Sequence, residues 1–251
     1  MFIFDVHAWL SHYPITYTCC IAASTVAVSE VIWFAYKYIR TFIPRKEVFD
    51  VLMFNENGYE CIFQHHKNVN KSAPLKCKNV NCSQNSINRI IETIDKAQYC
   101  IDMAMFTFNS TELFEALKQA MARGVQLRII CENSRAFKAG TSIWMLINLG
   151  AMMRGPKSLS LMHHKFCIID EELRVEEICL ERGRRTKPNL CNSCIINGSA
   201  NWTIRGFGGN WENIVITTNN VMIKELQAEF NRMWKAFTIS LEPVEDMKMF
   251  A

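Results

Sequence analysis

No lysine or arginine precedes Lys37. That absence argues against two N-terminal addresses at once, the basic start of a secretory signal peptide and an Arg-rich, amphipathic matrix presequence. Net charge is also scarce. The balance of 28 basic against 24 acidic side chains, +4 overall, permits a polyanionic partner without requiring one. The low hydrophobicity of a disordered chain is missing as well: 49% of residues are hydrophobic and 21% charged, so a real core is expected. At 251 residues the chain has room for one domain of roughly 200 residues plus a small appendage. The cysteines number eleven, an odd count, and are scattered; Cys100, Cys131 and Cys167 sit in apolar, strand-like runs. Those three read as reduced core thiols, and the main domain as the occupant of a reducing compartment.

From Ile15 to Tyr36 the residues are almost wholly apolar or small. A helix of that length spans about 33 Å, enough to cross a bilayer. Glu30 lies near its end, and Lys37, Arg40, Arg45 and Lys46 follow directly, so the positive-inside rule places the large C-terminal part in the cytosol. Residues 1–43 are therefore expected to be a membrane anchor, with the transmembrane helix at about 15–36, and residues 44–251 a catalytic domain.

Within that domain the periodicities alternate. Strands are expected at 47–54, 99–108, 125–131, 165–169, 194–197 and 213–217. Helices are expected from near Ser86, from a capping box formed by Asn109 and Glu112, at 141–149, and over a last apolar face carrying Ile223, Leu226, Phe230, Met233, Trp234 and Phe237. Alternation of this kind predicts a layered α/β sandwich with a mixed central sheet. Two stretches break the rhythm. Residues 171–193 carry five acids and five bases, ending in a basic run from Arg182 to Lys187, and read as a long solvated surface loop. Residues 55–85 have too few large apolar side chains to form a core alone. They do hold Cys61, His65, Cys77 and Cys82, separated by three, eleven and four residues, a donor set suited to structural zinc, with His66 as an alternative to His65.

The chemistry concentrates in His163, Lys165 and Asp170, followed by Gly198, Ser199 and Asn201 and then by Glu212 and Asn213. On a strand, alternate side chains share a face, so His163 and Lys165 point one way and His164 and Phe166 the other. An imidazole can act as neutral nucleophile or charged acid near neutral pH, and a neighbouring ammonium can hold phosphate oxygens as they gain charge. A decoy shows the value of context: His65, His66 and Lys67 also spell H-x-K, but Ser72 stands at the aspartate position and no apolar strand follows.

The pattern H-x-K-x(4)-D with a downstream G-S-x-N resembles the HKD signature of the phospholipase D superfamily. The resemblance implies a phosphodiesterase without a catalytic metal that works through a phosphohistidine. His163 would be nucleophile or acid, Lys165 and Asn201 phosphate ligands, Ser199 a supporting donor, and Glu212 the residue orienting a histidine ring. Asp170 would hold loop and strand together. In-line displacement needs a nucleophile and an acid on opposite sides of phosphorus, and the chain has one motif copy, so a homodimer is implied. The 27 residues between Asp170 and Gly198 exceed the short interval usual in the family.

The anchor, the Cys/His segment, the single H-x-K and the run from Phe207 to Asn213 together are similar to the Zucchini-like, or mitochondrial phospholipase D, branch. That similarity implies a mitochondrial outer-membrane protein that cleaves single-stranded RNA in PIWI-interacting RNA production, with hydrolysis of cardiolipin as the rival reading. Lys76, Lys78, Arg89, Arg135, Arg154, Lys157 and Arg205 could line a path for a strand, with Trp211 for stacking. An inactive membrane scaffold is disfavoured by the intact His163, Lys165, Asn201 and Glu212.

Overall fold

A computed structural model of the chain describes residues 14–42, 47–67, 77–132, 142–156, 161–183 and 193–238. The chain divides into two compact units, Met1–Lys46 and Glu47–Ala251.

The described residues of the first unit form a helix, α1 (Pro14–Phe42). Its stretch Thr18–Tyr36 is long and apolar enough to cross a membrane, and none of it is buried. Three hydroxyls there are satisfied inside the helix: those of Ser24, Thr25 and Ser29 donate to the carbonyls of Cys20, Ala22 and Val26 at 2.7–2.8 Å. An environment without water demands that kind of local pairing.

The second unit is built on a mixed sheet of seven strands: β1 (Phe49–Phe54), β2 (Cys100–Met105), β3 (Gln126–Ile130), β4 (Met152–Arg154), β5 (Lys165–Ile169), β6 (Cys194–Gly198) and β7 (Glu212–Thr217). Their spatial order is β1-β7-β6-β5-β2-β3-β4. The β2, β3 and β4 ladder is parallel, while β5, β6, β7 and β1 pair antiparallel. Helices α2 (Tyr59–Lys67), α3 (Ser83–Asp95), α4 (Thr111–Ala122), α5 (Ser142–Asn148), α6 (Glu172–Glu181), α7 (Ile204–Gly208) and α8 (Asn220–Ala236) complete the chain order.

Strand periodicity sorts the core into two layers. Met103, Met105, Cys167, Ile169, Ile196 and Ile214 face Ile87, Ile90 and Ile94 of α3 and Leu113, Leu117 and Ala120 of α4. Ala104, Ile130, Phe166, Ile168 and Ile195, one residue out of phase, face Ile223, Phe230 and Met233 of α8. Under α8 lies a buried ion pair between register partners: Arg128 Nε donates to Asp102 Oδ1 at 2.7 Å, and Gln227 Nε2 to Asp102 Oδ2 at 2.8 Å. A buried pair is tolerable when its remaining lone pairs are used, as they are here.

Three expectations need correction. The segment expected as a loop at 171–193 folds for ten residues into α6. Val175, Ile178 and Cys179 form a buried stripe at i, i+3 and i+4 against Cys100, and the Glu171 side chain accepts from Arg174 N to cap it. Only three apolar positions carry the stripe, so the surrounding charges hid its period; residues 184–192 lie outside the described part. The cap of α4 is Ser110 rather than Asn109. Both of their backbone N–H groups donate to the Trp202 carbonyl at 3.0 Å, which leaves Ser110 Oγ to accept from Leu113 N and donate to Glu112. Finally, α3 starts at Ser83, not near Ser86, with Cys82 at its cap position. Short elements at 59–67, 152–154 and 204–208 carry too few residues to show a period.

Candidate active site

One end of the sheet gathers the polar motif residues. The register sets Met105 of β2 opposite Lys165 of β5, and Gly198 of β6 opposite Ile214 of β7, so the C-terminal ends of β2 and β6 meet the N-terminal starts of β5 and β7. Gly198 is required by this closeness: a Cβ there would come within 2.0 Å of Asn213 O.

His163 lies two residues before β5 and is exposed, whereas Lys165 is 8% exposed. Lys165 Nζ donates to the His163 carbonyl at 2.8 Å and sits 3.3 Å from each nitrogen of the His163 ring. The ring is tilted against Phe106 at 4.9 Å, and the Lys165 ammonium lies 5.4 Å from the same aromatic face. His164 turns the other way, packing on Phe166 at 5.4 Å and reaching toward Glu229 of α8. Burial lowers the Lys165 pKa from the ordinary lysine value, while the nearby Glu212 carboxylate opposes that shift.

Asn201 follows β6, and its Oδ1 accepts from the Thr107 backbone N–H at 3.2 Å, which directs the NH2 end of the amide the other way. Ser199 ties β6 to β7: its Oγ accepts from Asn213 N at 3.1 Å and its N–H donates to Asn213 O at 3.0 Å. Glu212 opens β7 and accepts from the Asn210 side-chain amide, Nδ2, at 3.1 Å. A Cβ on Gly206 would strike the Asn201 carbonyl at 2.0 Å, so the backbone of α7 rests directly on that turn.

Asp170 is not in this group. It stands past the other end of β5, buried, with φ at +50°, and its carboxylate accepts from the N–H groups of Gln98, Tyr99 and Cys100 at 2.8–2.9 Å. Burial raises its pKa and those three donors pull it back. No local pattern points to Phe106, which lies one residue past β2; only the pairing of β2 with β5 brings it to His163.

Of the basic residues expected along a path, Arg89 is engaged by Asp50 at 2.7 Å, and Arg154 lies over the Trp234 ring and donates to its carbonyl. Lys78 and Arg205 are exposed, while Lys76, Arg135 and Lys157 lie outside the described residues. Trp211, beside Glu212, is 70% exposed.

With this geometry in place, comparison with known proteins gives the family. Residues 90–234 match the protein-family profile described as cardiolipin synthase, PLD-like domain. Mitochondrial cardiolipin hydrolase of Drosophila melanogaster is 44% identical over 90% of this chain and 90% of its own length. The chain belongs to the phospholipase D superfamily. It is accordingly a hydrolase of a phosphodiesterase family. The Xenopus laevis mitochondrial cardiolipin hydrolase is 28% identical over 86% of this chain and 90% of its own. Two solved superfamily structures share the fold: NucT from Helicobacter pylori, at TM-score 0.55 and 16% identity over 78% of this chain and all of its own, and Nuc from Salmonella typhimurium, at 0.51 and 18% over 78% and 99%.

Outside the residues matched by the superfamily profile, Cys61, His65, Cys77 and Cys82 bring four ligand atoms within 4.8 Å of one another. Cys61 Sγ and Cys77 Sγ are 3.8 Å apart, and Cys82 Sγ is 3.3 Å from His65 Nε2. A tetrahedral site with metal–sulfur bonds of about 2.3 Å puts two sulfurs about 3.8 Å apart, so the residues could hold a metal. His65 is the histidine of the cluster; the His66 side chain lies outside the described part. The Asn79 backbone N–H, then His65, pull the Cys77 thiol down to about 7, while burial pushes Cys82 up to about 11. The lowered Cys77 thiol suits binding to a metal as a thiolate, whereas burial holds Cys82 in the neutral form until a cation is bound.

Proposed function

We propose that this chain is a membrane-anchored phosphodiesterase that cleaves single-stranded RNA as a homodimer, leaving 5'-phosphate ends, in the production of PIWI-interacting RNAs. The reading that supports RNA over lipid rests on one observation. Trp211, beside Glu212 at the end of the sheet where the motif residues gather, is 70% exposed. An exposed aromatic ring next to phosphate ligands is a platform on which a base of a single strand can stack.

In this mechanism the His163 ring attacks phosphorus and the P–O3' bond breaks. The second copy's His163 protonates the departing O3', and water then releases the 5'-phosphate from the histidine. Lys165 and Asn201 hold the non-bridging oxygens, with Ser199 supporting the loop; Glu212 balances the charge at Lys165 and orients a histidine of the assembled site. Asp170 acts through the fold. Residues 1–43 serve as the anchor in the mitochondrial outer membrane and residues 44–251 as the catalytic domain on its cytosolic side. Cys61, His65, Cys77 and Cys82 hold a structural zinc that ties α2 to the start of α3, and no catalytic metal is assigned.

The second reading, release of phosphatidic acid from cardiolipin, is favoured by the likeness to the mitochondrial cardiolipin hydrolases of Drosophila melanogaster and Xenopus laevis. The test is incubation of the purified chain with end-labelled single-stranded RNA and, separately, with cardiolipin vesicles. Cutting that depends on His163 and leaves 5'-phosphates supports the nuclease; intact RNA beside His163-dependent phosphatidic acid supports the lipase and overturns the RNA reading.

A further inference from the structure

Three consecutive residues outside the motif, Phe106, Thr107 and Phe108, follow β2 directly, and each is tied to a different part of the catalytic end. Phe106 N–H donates to the His164 carbonyl at 3.1 Å, which pins the chain between His163 and Lys165. Thr107 N–H holds the Asn201 amide, and Phe108 forms a bridge with Trp202 and meets its ring edge-on at 6.0 Å. The backbone of this segment therefore fixes where the His163 and Asn201 side chains start from. It does not orient the His163 ring. Lys165 Nζ lies 3.3 Å from both ring nitrogens, and a point equidistant from the two is on neither lone-pair axis, so no directed hydrogen bond sets the imidazole plane. What meets that plane is the Phe106 ring, at 4.9 Å between centroids and 56°, a tilted aromatic contact. The same ring lies 5.4 Å from Lys165 Nζ, within the range at which an aromatic face attracts a cation.

We propose that Phe106 is a positioning residue of the active site, its ring holding the His163 imidazole in line with phosphorus and keeping the Lys165 ammonium beside it. The proposal rests on the phosphohistidine mechanism proposed above and holds whether the diester belongs to RNA or to lipid. The two contacts have separable effects. Loss of the ring frees the attacking imidazole, which lowers kcat, while the His163 carbonyl still holds Lys165 at 2.8 Å and Thr107 still holds Asn201, which keeps KM. Loss of the ring's negative face also removes support from the lysine charge. Glu212 at the start of β7 favours that charge and burial opposes it. The other charged groups nearby are occupied elsewhere: Glu229 of α8 reaches toward His164, and Glu132, past β3, accepts from Met162 N–H at 3.2 Å. Without the ring Lys165 gives up its proton at lower pH, so the alkaline limb of the pH–rate profile moves toward neutrality.

The experiment is hydrolysis of bis(p-nitrophenyl) phosphate, a diester that is neither RNA nor lipid, by the full chain in detergent micelles across the pH range, comparing wild type, His163→Ala, Phe106→Leu and Phe106→Tyr. Phe106→Leu should lower kcat about tenfold with KM within about twofold, and move the alkaline limb down by about half a pH unit. Phe106→Tyr, which keeps an aromatic face, should restore both. Ile178→Ala, in the core at the opposite end of β2, should lower the thermal midpoint and leave the limb in place. A Phe106→Leu enzyme with the wild-type kcat and limb, or a loss that Phe106→Tyr does not restore, would overturn the proposal; an inactive His163→Ala beside it leaves the mechanism standing. Loss that follows melting with an unmoved limb would assign the ring to packing and likewise overturn it. Undiminished turnover in His163→Ala would overturn mechanism and proposal together. Should Phe106→Leu fail to fold, pentafluorophenylalanine at position 106 keeps the shape of the ring while reversing its quadrupole: a limb that moves down supports the proposal, and one that stays overturns it.

Discussion

The two ends of β5 belong to one sequence motif and do different work. At the start, the His163 ring lies open to a substrate and Lys165 is buried beside it, the pair held by one carbonyl and one aromatic ring. Past the last residue, Asp170 is sealed in, turned into the left-handed region and bound by three backbone N–H groups from the turn before β2. One short sequence motif can therefore hold chemistry at one end and architecture at the other, about 17 Å of strand apart. Substitutions should separate the two.

The largest expected effect is His163→Ala, which should reduce turnover at least about a thousandfold while leaving the thermal midpoint nearly unchanged, since an exposed ring contributes little packing. Comparable loss of stability would erase the distinction between the ends. Removing metal from the Cys61, His65, Cys77 and Cys82 cluster, by strong chelation or Cys82→Ser, should lower stability by about 3 kcal/mol or more; metal analysis beside calorimetry checks it. Asp170→Ala should cost about 3 kcal/mol, because three N–H donors, that of Cys100 buried, lose their acceptor and alanine resists positive φ, yet kcat per folded molecule should persist. Denaturant titration with active-site counting distinguishes these.

A subtler contrast lies in pH. Burial already lowers the Lys165 pKa and Glu212 opposes it, so Glu212→Gln should lower it further. The lysine then loses its proton at lower pH, and the alkaline limb of the pH–rate profile should move toward neutrality; a limb that stays put or moves up would separate Glu212 from Lys165. The smallest expected effect marks the corrected helix: Leu173→Asp on α6 should stay within about 0.5 kcal/mol of wild type, whereas Val175→Asp, on its buried face, should cost about 3 kcal/mol.

Strand and helix periods made most of the α/β layering readable: β5 falls on the expected 165–169, and the last helix carries the expected apolar face. The motif residues were legible too, because H-x-K spacing on a strand puts two side chains on one face. Longer-range facts were not. Phe106 reaches His163 only through the pairing of β2 with β5, and the cap at Ser110 depends on backbone bonds to Trp202, nearly a hundred residues on. The charge-rich α6 concealed three buried residues, and the apolar outer face of β1 could not be told from a buried one until α8 was seen to stop short of it.

The most direct test of His163 as nucleophile is a rapid alkaline quench of the enzyme turning over single-stranded RNA labelled at the scissile phosphate. Phosphohistidine survives alkali and is lost in acid. The expected result is label carried on the peptide containing His163, absent from His163→Ala and chased off by further incubation. Full turnover with no label on that histidine at any time point would contradict a covalent route through His163.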